Sequence, residues 1–270
     1  MPTKMSLGQY IPGDSLIHKL DPRVKILATL VFMVSIFFVP SFFMYIPIVA
    51  YLLVIMYIAK IKPSTVLKSL KSLIFIIIFT SILNMLMTPG TDVIFKVWKF
   101  VVTKEGLYRA GFMSIRIVLL VIGTSLLTLT TSAIELTDGL ESLMKPLQKV
   151  GFPAHELAMM ISIALRFIPT LFEEADKIRK AQMARGADFE GGNILKKAKN
   201  MIPLLVPLFI NSFRRADELA TAMVSRCYRG SEGRTRLNPL KMTKKDVMIF
   251  VFVIAFFAVV IGVSQVIKNG

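Results

Sequence analysis

Cysteine, histidine and acid are all scarce in this chain. The single cysteine, Cys227, excludes an intramolecular disulfide and any metal site built from several cysteines. The two histidines, His18 and His155, stand far apart, and no H-E-x-x-H run occurs. His155, beside Glu156 at a helix start, reads as a helix-terminus residue rather than a ligand, so no metal site is expected. No G-x-x-x-x-G-K-[ST] pattern is present, which removes the usual means of cradling a nucleotide's phosphates. The chain has 17 acidic residues against 33 Lys and Arg, a net charge of +16. The N-terminal stretch "MPTKMSLGQYIPGDSLIHKLDPRVK" is too polar to be a cleaved signal peptide.

What the chain has instead is apolar length. Hydrophobic residues make up 54% of its 270 residues, above the soluble average of roughly 45–50%. Runs near the spanning length of about 20 residues predict five membrane helices: 24–39, 42–61, 73–87, 110–130 and 247–267. The segment "VIFKVWKFVVTKEGLYR" is amphipathic and too charged to span. Lys and Arg collect on the cytoplasmic side of membrane proteins. An N-terminus inside puts 27 of the 33 basic residues on the inner side and five outside, with Arg116 inside the fourth span. Four of the inner ones, Lys60, Lys62, Lys68 and Lys71, come in "KIKPSTVLKSLK" without an acid. Apart from Lys25 and Lys60 at the ends of their runs, Arg116 is the only formal charge in the spans, and it can snorkel. Asn84, Thr124, Ser125 and Thr128 read as helix-packing residues.

The pattern changes between residues 131 and 246. "SAIELTDGLESLMKPLQKVG" is an amphipathic helix, with Ser132 and Glu135 as its capping box and Gly151 then Pro153 as its stop. A long helix is expected from about Pro153 to Arg185, and another after the break at Gly191-Gly192-Asn193. Each has an apolar half containing proline (Pro169 in one, Pro203 and Pro207 in the other). Each then has a charged half ending on an arginine, Arg185 or Arg226. At an offset of 41, Phe172, Ala175, Asp176, Ala181 and Arg185 align with Phe213, Ala216, Asp217, Ala222 and Arg226. Glu173 with Lys177, and Asp176 with Lys180, are expected as i,i+4 ion pairs, which accounts for the acids without catalysis. An arginine ending a helix complements the helix dipole. Small neighbours (Ala184, Gly186, Ser225 and Cys227) also let a partner approach closely, so that the guanidinium reaches carboxylates or helix-end carbonyls.

Three stretches carry a resemblance: "LGQYIPGDSLIHKLDPRVKIL", "LTLTTSAIELTDGLESLMKPLQKVGFPAHELAMMISIALRFIPTLFEEADKIRKAQMARGADFE" and "PLFINSFRRADELATAMVSRCYRG". They resemble the transmembrane T component of energy-coupling factor (ECF) transporters, over nearly the whole chain. The resemblance implies an all-α integral membrane protein of about five transmembrane helices. It adds a cytoplasmic domain of one amphipathic helix and two long, proline-bent coupling helices. The expected domains are 1–130, with four spans, 131–246, the cytoplasmic coupling domain, and 247–270, the last span. The resemblance also implies a non-catalytic scaffold of an ABC-type importer of vitamins or metals in the cell membrane. Its partners are two cytoplasmic ATPase subunits, which bind the ATP, and a small membrane S component that binds the substrate. The family's x-Arg-x docking triplets fall on Ala184-Arg185-Gly186 and Ser225-Arg226-Cys227. The second triplet keeps only the arginine of the common Ala-Arg-Gly form. The apolar halves, 157–172 and 201–210, correspond to the platform for the S component. Pro169, Pro203 and Pro207 are the expected helix bends.

Three alternatives stand beside this. A T subunit dedicated to a single cobalt, nickel or biotin S component has the same features. A membrane-anchored nucleic-acid binder accounts for the basic 131–246 segment, but its acids are interleaved and its aromatics too few for a stacking platform. No nucleic acid is therefore expected as a partner. An intramembrane enzyme lacks acidic metal-binding motifs in the spans.

Overall fold

The computed structural model describes residues 10–89, 92–97, 100–189, 191, 193–230 and 240–269. The chain divides into two compact units. One holds residues 8–143 with 240–270, the other chiefly residues 144–239.

The first unit begins with a locked turn. Ser15 accepts from the His18 backbone N–H at 3.3 Å, and its hydroxyl lies 2.7 Å from His18 Nδ1. The short helix α1 (Leu16–Lys19) follows. Asp21 caps α2 (Pro22–Phe37) by accepting from the Arg23 N–H, with Pro22 at the first helical position. There the missing N–H costs nothing. A 3-10 turn, Phe42–Met44, leads into α3 (Tyr45–Ala59). Next come α4 (Pro63–Lys71) and α5 (Ile74–Met87), their axes bent 63° apart at a short break. The stretch read as amphipathic and too charged to span begins as an antiparallel ribbon, β1 (Val93–Val97) with β2 (Phe100–Thr103), which an all-α reading did not include. Thr103 then caps the long helix α6 (Lys104–Thr130).

The capping box expected from Ser132 and Glu135 is formed. The Ser132 N–H donates to Glu135 Oε2 at 3.1 Å and the Glu135 N–H to Ser132 Oγ at 3.3 Å. It opens α7 (Ala133–Met144). The unit closes with α10 (Lys244–Asn269), which follows α8 (Ala154–Ala184) and α9 (Ile194–Ser225) in the chain. Asp246 accepts from the Thr243 N–H at 2.7 Å and from the Asp21 N–H at 3.3 Å. One carboxylate therefore ties the start of α10 to the start of α2.

Buried apolar side chains of α2, α3, α6 and α10 form one core, with Ile36, Ile48, Leu129 and Phe257 almost fully enclosed. Leaving lipid for such a core releases little free energy, so close packing decides which helices pair. Gly123 shows this: a Cβ there would overlap the Phe32 ring, so the glycine admits the close approach of α2 to α6.

Instead of snorkelling, Arg116 is held within the unit. It donates from Nη2 to the Val39 carbonyl at 3.1 Å and from Nε to the Tyr45 hydroxyl at 3.3 Å. Its guanidinium also lies over the Phe112 ring, 4.8 Å from the centroid. A carbonyl just past the end of α2 needs a donor in an apolar surrounding, and Arg116 supplies it.

Four described helices are long and apolar enough to cross a membrane: Phe42–Ala59, α6, Ala154–Ala184 and Lys244–Val266. The bent pair α4–α5 makes a fifth if counted as one span. Three of the expected spans recur in this set. The first expected span is a 16-residue helix, about 24 Å at 1.5 Å per residue, which is short for a crossing. Ala154–Ala184 qualifies unexpectedly, because "LAMMISIALRFIPTLF" supplies an apolar window despite the charged half that follows.

The second unit carries a 3-10 turn, Lys145–Val150, stopped at Gly151 with φ +86°. Two long helices follow: α8 (Ala154–Ala184), starting after Pro153, and α9 (Ile194–Ser225), starting after Asn193. Both lie close to the expected bounds. Pro169 sits inside α8, and Pro203 and Pro207 inside α9, each helix remaining continuous. Each proline deprives the carbonyl four residues earlier of its helical donor.

Candidate functional site

The two arginines end α8 and α9 in the same hydrogen-bonded turn. At the end of α8, the Gly186 N–H donates to the Met183 carbonyl at 3.0 Å and the Ala187 N–H to Gln182 at 3.0 Å. At the end of α9, the Cys227 N–H donates to Val224 at 2.9 Å and the Tyr228 N–H to Met223 at 3.1 Å. Shifted by 41 residues, these bonds are identical, and both make the Schellman pattern of helix termination. Arg185 and Arg226 are the C-cap residues, with φ/ψ of −88°/7° and −94°/15°. The next residue is left-handed in both turns: Gly186 at φ +86°, Cys227 at φ +57°.

That equivalence explains the second triplet. Position 227 is the counterpart of a glycine, and a cysteine stands there at a backbone conformation costing an L-residue roughly 1–2 kcal/mol. Ser225 turns its hydroxyl back to the Thr221 carbonyl at 2.8 Å, so it serves its own helix. Both arginines are exposed, as are Ala184, Gly186, Ser225 and Cys227. Among the described residues neither guanidinium has an ion pair or hydrogen bond.

Contacts between the helices place the two turns. Glu174 of α8 accepts from Arg215 of α9 at 3.4 Å and from Asn211. Arg215 also lies over the Phe167 ring, 5.6 Å from the centroid. Further along, the Tyr228 hydroxyl donates to Met159 Sδ at 3.1 Å. At the other extreme, Asn200 donates to the Asp188 carbonyl. Low numbers on α8 meet high numbers on α9 throughout, so the helices are antiparallel. The arginine turns therefore occupy opposite ends of the pair, on the order of 30–40 Å apart at about 1.5 Å per residue.

The charged halves differ in part from the expected pairing. Asp176 holds Lys180 at 2.7 Å, but no ion pair joins Glu173 to Lys177 among the described residues. Glu174, which the local spacing left unassigned, is the acid that crosses to α9. The cross-helix role of Arg215 was equally hidden, since Arg214 and Arg215 look alike in sequence.

The apolar halves are open. Met160, Ile161 and Phe172 on α8 and Ile202, Phe209 and Phe213 on α9 are all more than a third exposed, and α9 has no buried residue among those described. Contiguous exposed apolar surface of this kind marks a partner or a membrane.

Comparison with known proteins identifies the family. The family profile described as CbiQ, cobalt transport protein, matches residues 13–237. A Clostridium kluyveri protein named energy-coupling factor transporter transmembrane protein EcfT is 58% identical over 243 residues, covering 90% of each chain. A protein of the same name from Thermosediminibacter oceani is 54% identical over 248 residues, 92% of this chain and 93% of its own. Another from Bacillus subtilis is 45% identical over 258 residues, 96% of this chain and 97% of its own. With matches of this length and identity, and with its run of long apolar helices, the chain belongs to the family of energy-coupling factor transporter transmembrane proteins, the multi-pass membrane components of these transporters.

Proposed function

We propose that the chain is the non-catalytic scaffold and coupling subunit of an importer for vitamins or metals. In this reading it lies in the cell membrane with residues 131–246 in the cytoplasm, as the Lys and Arg distribution favours. Residues 1–130 and 247–270 form the membrane part. Two ATPase subunits, which hold the ATP, dock on Ala184-Arg185-Gly186 and Ser225-Arg226-Cys227. A small S component, which holds the substrate, rests on the open apolar halves of α8 and α9.

The observation that carries this reading is the pair of matching arginine turns at opposite ends of one antiparallel helix pair. Two equal, exposed guanidinium groups, without an ion pair among the described residues and set most of a helix length apart, suit two equal partners rather than one ligand. The helices between them provide a continuous path from each docking turn to the apolar surface. A cobalt-dedicated transporter is the second reading, favoured by the name of the matched family. Among the described residues no group of three or more His, Cys, Asp or Glu is placed to hold a metal, so a partner would carry that specificity too.

The test is recruitment of the ATPases. A buried charged contact that loses one partner costs about 2–5 kcal/mol, partly by stranding the other charge. Arg185→Glu or Arg226→Glu alone should weaken co-purification of the ATPases and lower uptake. The double variant should abolish co-purification while still inserting in the membrane. If the arginines only complement helix dipoles, each change should cost under about 1 kcal/mol and leave assembly intact. Full recruitment by the double variant would refute the docking assignment.

A further inference from the structure

Residues 22–91 contain no Asp or Glu at all. Six cations lie in this stretch, and they divide into two groups. Arg23 is held by Asp21 at 2.8 Å, and Lys25 is buried, donating to the His18 and Thr130 carbonyls at 2.9 and 3.1 Å. Lys60, Lys62, Lys68 and Lys71 are all exposed, and among the described residues none has an ion pair or hydrogen bond. All four lie on or beside α4.

The geometry of α4 suits a helix lying along a membrane surface. Lys60 ends α3 in the left-handed conformation, φ 55° and ψ 33°, which reverses the chain. Pro63 then starts α4, which is turned 63° from the axis of α5. A helix so strongly turned from the apolar helix it feeds lies nearer the membrane plane than the normal. On α4, Val66 is buried at 2% exposure in the core, whereas the neighbouring Leu67 is 58% exposed. Lys68 and Lys71 lie on the other side of the helix wheel, one turn apart. This is the division of an interfacial helix: an apolar face directed inwards and to the acyl chains, and a lysine face among headgroups.

The neighbouring helix adds an independent reason. α5 has 14 residues, about 21 Å at 1.5 Å per residue, against a hydrocarbon thickness of about 30 Å. It buries no side chain fully, and Phe75, Ile78 and Phe79 are more than half exposed. A short, lipid-exposed helix draws the headgroups towards its ends or lets flanking lysines snorkel up to them. The four lysines flank its N-terminal end.

We propose that α4 is an interfacial helix whose Lys60, Lys62, Lys68 and Lys71 bind anionic phospholipids of the leaflet on which it lies. The ligand chemistry is a phosphate diester headgroup of net negative charge. Ammonium groups on flexible stems are point charges without a fixed fork. They suit a mobile array of headgroups better than one shaped anion. The inference is independent of where the ATPases dock.

The full chain, purified in detergent, is titrated with phosphatidylglycerol or phosphatidylcholine, and bound lipids are counted by native mass spectrometry. Each basic residue near an anionic surface contributes about five-fold in affinity. The wild type should therefore prefer phosphatidylglycerol, and should lose that preference in high salt. K60Q/K62Q/K68Q/K71Q should lower the preference at least ten-fold, whereas K60R/K62R/K68R/K71R keeps it. The charge-matched variant K180Q/K196Q/K197Q/K199Q should stay within two-fold of wild type. Addition of 10 mM inorganic phosphate should displace nothing. Equal binding of the two lipids by the wild type would overturn the proposal. So would an unchanged preference in the α4 glutamine variant, or an equal loss in the charge-matched variant. Displacement by inorganic phosphate would mean a free-anion site instead.

Discussion

Exchanging the residues at the left-handed positions of the two turns tests whether the ends of α8 and α9 are equivalent. Cys227 sits at φ +57° where Gly186 sits at φ +86°. A side chain in this region meets the following carbonyl, at a cost of roughly 1–2 kcal/mol. Glycine removes that cost but gives the unfolded chain more freedom, which takes back about 0.4–1 kcal/mol. Cys227→Gly should therefore stabilise its turn by about 0.5–1 kcal/mol. Gly186→Ala imposes the strain and reclaims the entropy, so it should destabilise the other turn by a similar amount. A Cβ at Gly186 meets nothing within 4 Å, so backbone strain alone should set the size.

The readout must be local, because a turn at a helix end opens without global unfolding. Amide hydrogen exchange at Tyr228, whose N–H is bonded to the Met223 carbonyl at 3.1 Å, reports the α9 turn. Exchange at Ala187, bonded to the Gln182 carbonyl at 3.0 Å, reports the α8 turn. With about 1.4 kcal/mol per factor of ten in population, Cys227→Gly should slow exchange at Tyr228 about two- to five-fold. Gly186→Ala should speed it at Ala187 by a similar factor. Faster exchange in Cys227→Gly, or no change in Gly186→Ala, would refute the equivalence of the turns.

Cys227 is the only cysteine and is exposed, so it also reports orientation. A membrane-impermeant thiol reagent should miss it in intact cells and reach it in inverted vesicles stripped of ATPases; labelling of sealed cells would reverse the topology. Arg116→Met removes two hydrogen bonds and a ring contact around the Val39 carbonyl. It should destabilise the membrane unit by about 2–3 kcal/mol, seen as a lower detergent melting temperature with ATPase recruitment retained. Replacing Pro169, Pro203 and Pro207 each by alanine restores an N–H to α8 or α9. Uptake should fall more than ATPase binding if bends at these prolines carry force, and unchanged uptake in all three variants would leave them a purely static role.

Local chemistry made much of this chain legible from its sequence. Helix existence depends on apolar spacing and on residues within a turn or two. The bounds of α8 and α9, the Ser132–Glu135 capping box and the Asp176–Lys180 pair could therefore be read directly. The arginines at the two helix ends stood out because each precedes a break in the pattern. Long-range choices were not legible, because many residues of one type are equivalent until the chain folds. Glu173 and Glu174 look interchangeable, yet the helical phase turns Glu174 to Arg215. Arg116 could have snorkelled until the position of the Val39 carbonyl beside it left a better partner. The ribbon of β1 and β2 needs a cross-strand partner that no local propensity supplies. The span expected at 73–87 gave no sign of the 63° bend between α4 and α5, or of Val66 being buried in the core. The left-handed state of Cys227 was hidden because cysteine gives no hint of positive φ; the hydrogen bonds of the helix end impose it. Sequence thus determined which segments are helices and which carry an arginine tip. Tertiary structure alone made α8 and α9 antiparallel and so set the tips at opposite ends, because only packed side chains choose among helix pairings of nearly equal apolar content.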